Sequence, residues 1–355
     1  MAGGLRVAVG GATGNVGSEM LRVLEQRGFP AVEVIPLASK ASAGQRVPFR
    51  GSELEVRDLS AFDFRGTDLL LLSTGATNAR ETAPRAAAVG CIVIDNSSAF
   101  RMEPDLPLVV PEVNPEALDA WAQRRILPVA NCSTIQLVVA LKPLHDAAGL
   151  RRVIVSTYQS ASGGGRRLMN RLLSPYDPVT VDMRSLLREA HAALEAGGDK
   201  PLPFNVVPHI DVFLDDGRTK EEWKMEAETR KIMNLPDLPL SATCVRVPVL
   251  VGHAESVTVE LEQPLSANVA RDLLAAAPGV RIVDERRPGG YATPIEVAGT
   301  DEVFVSRLRD DRAFPHGLSL WVVADNVRKG AALNAVQIAE ALIRRGDAFA
   351  GCVKG

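Results

Sequence analysis

The sequence predicts an α/β protein in two parts: a parallel sheet covered by helices, then an α+β unit built on a mostly antiparallel sheet. Three observations carry this reading. A strand, a glycine-rich loop and a helical pattern open the chain; continuous apolar runs alternate with helical patterns to about residue 130; strand-rich stretches dominate after residue 150. At 355 residues, 46% hydrophobic and 23% charged, the chain has room for two domains of ordinary globular composition.

The first strand is the apolar run at 5–9. Gly10-Gly11-Ala12-Thr13-Gly14-Asn15-Val16-Gly17 follows at once, and Ser18-Glu19-Met20-Leu21 continues with helical spacing. Gly11, Gly14 and Gly17 are three apart. Glycines there allow a tight turn and close backbone approach, and the helix N-terminus receives a pyrophosphate, as in a Rossmann-type dinucleotide site. Gly11, Thr13, Gly14, Asn15, Val16 and Gly17 are therefore candidate cofactor contacts. The next strand, 32–38, ends in Ser39-Lys40-Ala41-Ser42. A site that prefers NAD places an acid at this point; here there are hydroxyls and a cation, so Ser39, Ala41 and Ser42 point to NADP. The runs at 68–73 and 91–95 are apolar throughout, as expected for parallel strands buried on both faces.

Residues 126–129 form a further extended run that leads into Asn131-Cys132-Ser133-Thr134. From Ser133 the pattern is helical and closes near Gly149. A cysteine at the lip of a helix faces unpaired N–H groups and the positive end of the helix dipole, which favour thiolate. The same N–H groups suit an oxyanion on a carbonyl that sulfur attacks. Cys132 is thus a candidate nucleophile for acyl transfer.

The middle of the chain predicts strands at 153–159, 245–249 and 257–261, a helical stretch near 180–196 and a charged segment near 219–232. A last strand at 320–324 precedes a long helix from about Gly330, expected to return to the first domain. The boundaries this implies are 1–131 with 325–355 for the NADP-binding domain, and 132–324 for the catalytic and dimerisation domain. Arg246 sits mid-strand between Val245 and Val247, where a planar fork matched to a carboxylate is the economical reading. Glu221 lies one helical turn before Lys224, which fits either an ammonium site or an intrahelical ion pair.

A formal net charge of -3 with no basic tract argues against nucleic acid. No apolar run approaches the roughly 20 residues of a membrane span. With a first strand this early no secretory leader is expected, and Cys91, Cys132, Cys244 and Cys352 are widely spaced with no metal-ligand pattern. A cytoplasmic protein with reduced thiols and no metal is expected.

With the glycine loop and Asn131-Cys132-Ser133-Thr134 in hand, the chain resembles the aspartate-semialdehyde dehydrogenases over almost its full length. Further matching blocks are 97–102, 107–114, 156–159, 205–211, Lys224-Met225, 228–232, 246–249, His253 and Ala324-Asp325-Asn326. Two departures are Ala130, where the family commonly has Pro, and Gly164, where Ala is usual; they touch the loop conformation and no reacting group. The resemblance implies NADPH-dependent reduction of β-aspartyl phosphate to aspartate semialdehyde with release of inorganic phosphate, on the route to lysine (through diaminopimelate), methionine and threonine. It implies Cys132 as the nucleophile forming a thioester, His253 as general acid and base, Gln159 as an orienting group, and Asn131 as support for the thioester oxygen. It places Arg101 and Lys224 on the phosphate, Arg246 on the carboxylate and Glu221 on the ammonium. Asn326 falls on the nicotinamide side, Ser162 and Gly163 are further cofactor-binding positions, and a homodimer or homotetramer is expected. The nearest rivals are reductases for N-acetyl-glutamyl phosphate or an acyl-CoA, whose substrates lack the free amino-acid head group that an Arg246/Glu221 pair suits. A scaffold protein that had lost catalysis should lack Cys132 or His253, and both are present.

Overall fold

A computed structural model describes residues 4–173, 188, 191–192, 194–195, 200–346 and 348–349. Most of the helical stretch expected near 180–196, and Cys352, lie outside the described residues.

The first sheet has six parallel strands in the order β5-β2-β1-β6-β7-β8: β1 (Leu5–Gly10), β2 (Ala31–Ala38), β5 (Arg57–Asp58), β6 (Leu69–Leu72), β7 (Ile92–Asp95) and β8 (Ile126–Pro128). A hairpin of β3 (Arg46–Phe49) and β4 (Ser52–Glu55) lies between β2 and β5 in the chain. Every residue of β6 and β7 is buried, which explains why these strands read as unbroken apolar runs. Helix α1 (Asn15–Gln26) follows β1, and α2 (Ala76–Ala87) follows β6.

Helix α3 (Cys132–Ala148) starts where β8 ends. Asn131 is its N-cap, accepting at Oδ1 from Ser133 N at 3.0 Å and from Thr134 N at 3.5 Å, and Gly149 closes it at φ 66°. The helix is apolar nearly all round because it packs between the first domain and a second sheet.

That second sheet has the order β10-β9-β11-β14-β13-β12: β9 (Leu150–Gln159), β10 (Leu240–Arg246), β11 (His253–Leu261), β12 (Val280–Ile282), β13 (Val303–Asp311) and β14 (Gly317–Ala324). Its three central pairings are antiparallel and its two edge pairings parallel. The strand expected at 245–249 instead ends at Arg246; the chain passes Pro248, which has no N–H to donate, and turns at Gly252 (φ 94°) into β11. Arg246 therefore stands at a strand end rather than mid-strand.

Five further α-helices have bounds within the described residues: α4 (Gly165–Leu173), α5 (Lys220–Met233), α6 (Ala267–Ala276), α7 (Pro294–Val297) and α8 (Leu333–Arg345). The helix expected from Gly330 begins at Leu333, after a wider π-type turn over Arg328–Ala332. α8 packs on α1 and β7, so the chain that leaves the second sheet comes back to the first. Arg328 bonds Glu19 of α1 at 2.7 Å, and the buried Lys329 bonds Glu112 at 2.7 Å.

Candidate functional site

Cys132 is the first residue of α3 and lines a cleft between the two sheets. Asn131 fixes its surroundings twice over. Its side-chain Nδ2 donates to Glu221 Oε1 at 2.9 Å, and its backbone N–H donates to Glu228 Oε2 at 2.6 Å. Both glutamates come from α5, which a reciprocal capping box between Thr219 and Glu222 sets in place. Residues 221, 224 and 228 recur at one helical face, so α5 presents a charged stripe to the start of α3.

Glu221 collects three donors: Asn131 and Gln159 Nε2 (3.0 Å) on Oε1, and Lys224 Nζ (3.0 Å) on Oε2. Burial opposes its charge, but Lys224 and the two amides outweigh burial and hold the carboxyl below its ordinary range. Lys224 also bonds Asp211 Oδ2 at 2.7 Å. Arg101, almost fully buried, bonds Glu228 Oε1 at 3.1 Å and the Asn96 carbonyl at 2.9 Å. Burial pushes Glu228 above the usual carboxylate range, against the pull of Arg101 and the Asn131 N–H. Arg101 and Lys224 are thus ion-paired cations inside the cleft rather than solvated surface charges.

The Cys132 thiol differs from the expectation of a resting thiolate. Burial first, and then the nearby Glu221 carboxylate, push it up to about 12; Arg101, Arg246 and the Ser133 N–H pull the other way and lose. The helix N-terminus is present, but at this half-buried position in the cleft wall a thiolate beside the Glu221 carboxylate is disfavoured.

Gln159 ends β9 and pairs in register with Arg246 at the end of β10. Arg246 Nη1 donates to the Ser160 carbonyl at 2.6 Å. His253, fully buried at the start of β11, stands behind the cleft lining: its Nδ1 accepts from Ser160 N at 3.0 Å, with Ser160 Oγ at 3.1 Å. That assigns the hydrogen of the neutral ring to Nε2, which has no partner among the described residues. Burial and the Arg246 charge lower the imidazole to about 3, so the ring rests neutral. Gly163 lies against both groups. A Cβ there would sit 2.9 Å from Arg246 Nη1 and 3.1 Å from His253 Nε2.

Asn326 is buried and acts as a clasp. Its Oδ1 accepts from Gly252 N (2.9 Å) and Ser160 Oγ (3.0 Å), and its Nδ2 donates to Ser162 Oγ (2.9 Å). Asn326, Ser162 and Gly163 all line the same cleft as Cys132.

Next to this cleft the glycine loop works through its backbone. Gly11 has φ 80°, and a Cβ on it would lie 2.1 Å from the Ser73 carbonyl; a Cβ on Gly17 would lie 2.1 Å from the Gly11 carbonyl. Gly14 is the N-cap of α1 and brings no side chain to the cap, which leaves the first N–H groups of the helix to an anion. A tight backbone cradle of this kind fits a dinucleotide pyrophosphate. Val16 reaches the Cys132 cleft, whereas Asn15 faces a neighbouring one and donates to Met169 Sδ at 3.2 Å. The Thr13 carbonyl accepts from Arg166 at 3.1 Å. Ser39 and Lys40 line a further cavity that includes Gly11; Ala41 and Ser42 lie on the turn beyond its lining.

Four residues with no role assigned from sequence belong to this constellation. Glu228 and Asp211 bind the cations, Ser160 orients His253, and Gly330 lets the π-type turn approach Cys132, since a Cβ there would meet Cys132 Cβ at 2.7 Å. Glu228 was accessible as the continuation of the 221/224 stripe by one turn, and Asp211 closes the matching block 205–211; Ser160 and Gly330 carry no local signal. Among the described residues no group of His, Cys, Asp and Glu could hold a metal ion.

Comparison with known proteins adds independent findings. The family model for a semialdehyde dehydrogenase NAD binding domain matches residues 6–121, and the model for a semialdehyde dehydrogenase dimerisation domain matches residues 141–329. The aspartate-semialdehyde dehydrogenase of Aquifex aeolicus is 49% identical over 348 residues, covering 97% of this chain and 99% of that one. That of Legionella pneumophila is 50% identical over 341 residues, covering 96% of each. The crystal structure of aspartate semialdehyde dehydrogenase II from Vibrio cholerae superposes with TM-score 0.87 at 44% identity, covering 96% of this chain and 99% of that one. The same Vibrio enzyme complexed with ASA superposes with TM-score 0.86 at 44% identity, covering 96% and 98%.

Proposed function

Since the chain belongs to the aspartate-semialdehyde dehydrogenase family, we propose that Cys132 carries its acyl transfer in the cleft just described. The protein is an oxidoreductase: it reduces β-aspartyl phosphate to L-aspartate 4-semialdehyde with NADPH, in the biosynthesis of lysine, methionine and threonine. It acts on a small molecule and assembles as a dimer. The observation that carries the reading of the site is the convergence of Asn131, Gln159 and Lys224 on Glu221 beside Cys132.

Arg246 takes the substrate carboxylate through its free guanidinium face, and Glu221 takes the ammonium. Arg101 and Lys224 face the phosphate, adding a third partner to cations already balanced by Glu228 and Asp211. An ammonium on Glu221 offsets the charge that raises the Cys132 thiol, so the bound substrate helps to ionise its own nucleophile. Sulfur displaces phosphate and forms a thioester with Cys132. The coenzyme, held by Gly11, Thr13, Gly14, Asn15, Val16 and Gly17 with Ser39, Ala41, Ser42, Ser162, Gly163 and Asn326 along its length, supplies hydride when bound. His253 presents its Nε2–H to the oxygen that gains charge, and Asn131 supports the same oxygen from the helix entry. Collapse of the thiohemiacetal releases the aldehyde and returns the thiolate, which regains a proton before the next turnover.

The course of α8 over α1 and β7 supports domains of 1–131 with 325–355 and 132–324. Among the described residues no helix is long and apolar enough to cross a membrane, and Cys91, Cys132 and Cys244 are free thiols, which supports a cytoplasmic enzyme. The dimer could pair further into a tetramer, and inorganic phosphate is the co-product.

The test is NADP reduction with aspartate semialdehyde, with and without inorganic phosphate, for wild type and Cys132→Ser. Phosphate-dependent reduction that the variant loses, with coenzyme binding retained, is the expected result. Turnover by Cys132→Ser near the wild-type level would sink the thioester.

A further inference from the structure

The second strand ends without an acid in its own sequence, yet the fold brings one there. β5 pairs parallel to the end of β2, with Ala38 opposite Asp58. Asp58 lines the same cavity as Gly11, Ser39 and Lys40, where the adenosine ribose of a dinucleotide lies once its pyrophosphate is on α1.

The Asp58 carboxylate is held for an incoming group. Ser60 donates to its Oδ1 twice, from N at 2.9 Å and from Oγ at 2.7 Å. Its Oδ2 has no hydrogen-bond partner among the described residues. The Ser60 hydroxyl first, then the Ser60 N–H and the Lys40 charge, hold the carboxyl below its usual range, so it is ionised at neutral pH. Of the cations lining this cavity, Arg85 is committed elsewhere: it donates to the carbonyls of Ser60 (2.5 Å) and Leu59 (2.7 Å) and lies over the Phe64 ring. Lys40 is exposed and makes no ion pair among the described residues. A ribose 2′-hydroxyl can donate to a carboxylate, whereas a 2′-phosphate is repelled by it and must rely on Lys40 and Ser39.

We propose that Asp58 is a specificity-determining residue that admits NADH to this site alongside NADPH, with Lys40 and Asp58 setting the balance. The inference rests on the coenzyme reading above and goes beyond it in naming the residue that weighs the two coenzymes.

The experiment measures dissociation constants of NADPH and NADH, by quenching of protein fluorescence, for wild type, Asp58→Asn and Lys40→Ala. Adenosine 2′,5′-bisphosphate and 5′-AMP serve as fragment probes. The expected wild type binds the two coenzymes within about tenfold of each other. Asp58→Asn should tighten NADPH and the bisphosphate by about tenfold and weaken NADH; Lys40→Ala should weaken NADPH and the bisphosphate alone. A wild-type preference for NADPH above about a hundredfold that Asp58→Asn leaves unchanged would overturn the inference while the coenzyme site stands. Binding of neither coenzyme would overturn both.

Discussion

At the glycine loop, Gly11, Gly14 and Gly17 leave a cradle of bare backbone, and the distances that matter are those a Cβ would violate. Beside Cys132, Glu221, Glu228, Arg101 and the Asn131 amide are buried and each is held by a partner distant in the chain, while Lys224 bonds Glu221 one turn away and Asp211. The first site fails when a Cβ at Gly11 or Gly17 fills its cradle; the second can keep its shape yet fail when one charge loses its mate. Position in the chain follows the same division. The loop is one contiguous octapeptide, whereas Arg101 and Glu228 are separated by 127 residues.

If this contrast is right, the largest response should come from orphaning a buried charge. Arg101→Met leaves Glu228 without its cation and should destabilise the fold by about 3–5 kcal/mol in denaturant unfolding. Adding Glu228→Met should recover much of that loss. Equal stability of the single and double variants would mean the pair is not coupled.

The next largest effect concerns the thiol. Because burial and Glu221 raise Cys132 to about 12, its alkylation by iodoacetamide in the free enzyme should climb about tenfold per pH unit from about pH 7 to about pH 9, without a plateau. Glu221→Gln removes a raising charge and should speed alkylation at fixed pH while impairing turnover. A plateau near neutral pH would show a resting thiolate.

Gly17→Ala tests the other site. Its methyl group would press on the Gly11 carbonyl, so coenzyme Kd should rise about 10–100-fold while Cys132 alkylation stays the same. A parallel change in the thiol would dissolve the distinction between the two sites.

The smallest effect is expected at Arg246, whose Nη1 bond to the Ser160 carbonyl a lysine could partly keep. Arg246→Lys loses the bidentate face and should lower kcat/KM by about tenfold, mostly through KM. No change in either constant would make Arg246 a structural residue.

The sequence by itself determined the elements whose causes are local. A strand followed by three spaced glycines must turn tightly, an Asn ahead of a helical pattern caps it, and apolar tetrads such as Leu69–Leu72 must be buried on both faces. It also placed Cys132 at the helix start, because N-cap chemistry is written within four residues. Tertiary structure alone decided the charge state of that cysteine, since the Glu221 that raises it arrives from 89 positions later only when α5 packs on α3. The hydrogen on His253 Nε2 is likewise set by the backbone of Ser160 across the sheet, and the acid missing from the end of β2 comes from β5 beside it. Electrostatic partners act through space with a reach of a few ångströms, and only the folded chain determines which residues fall within it.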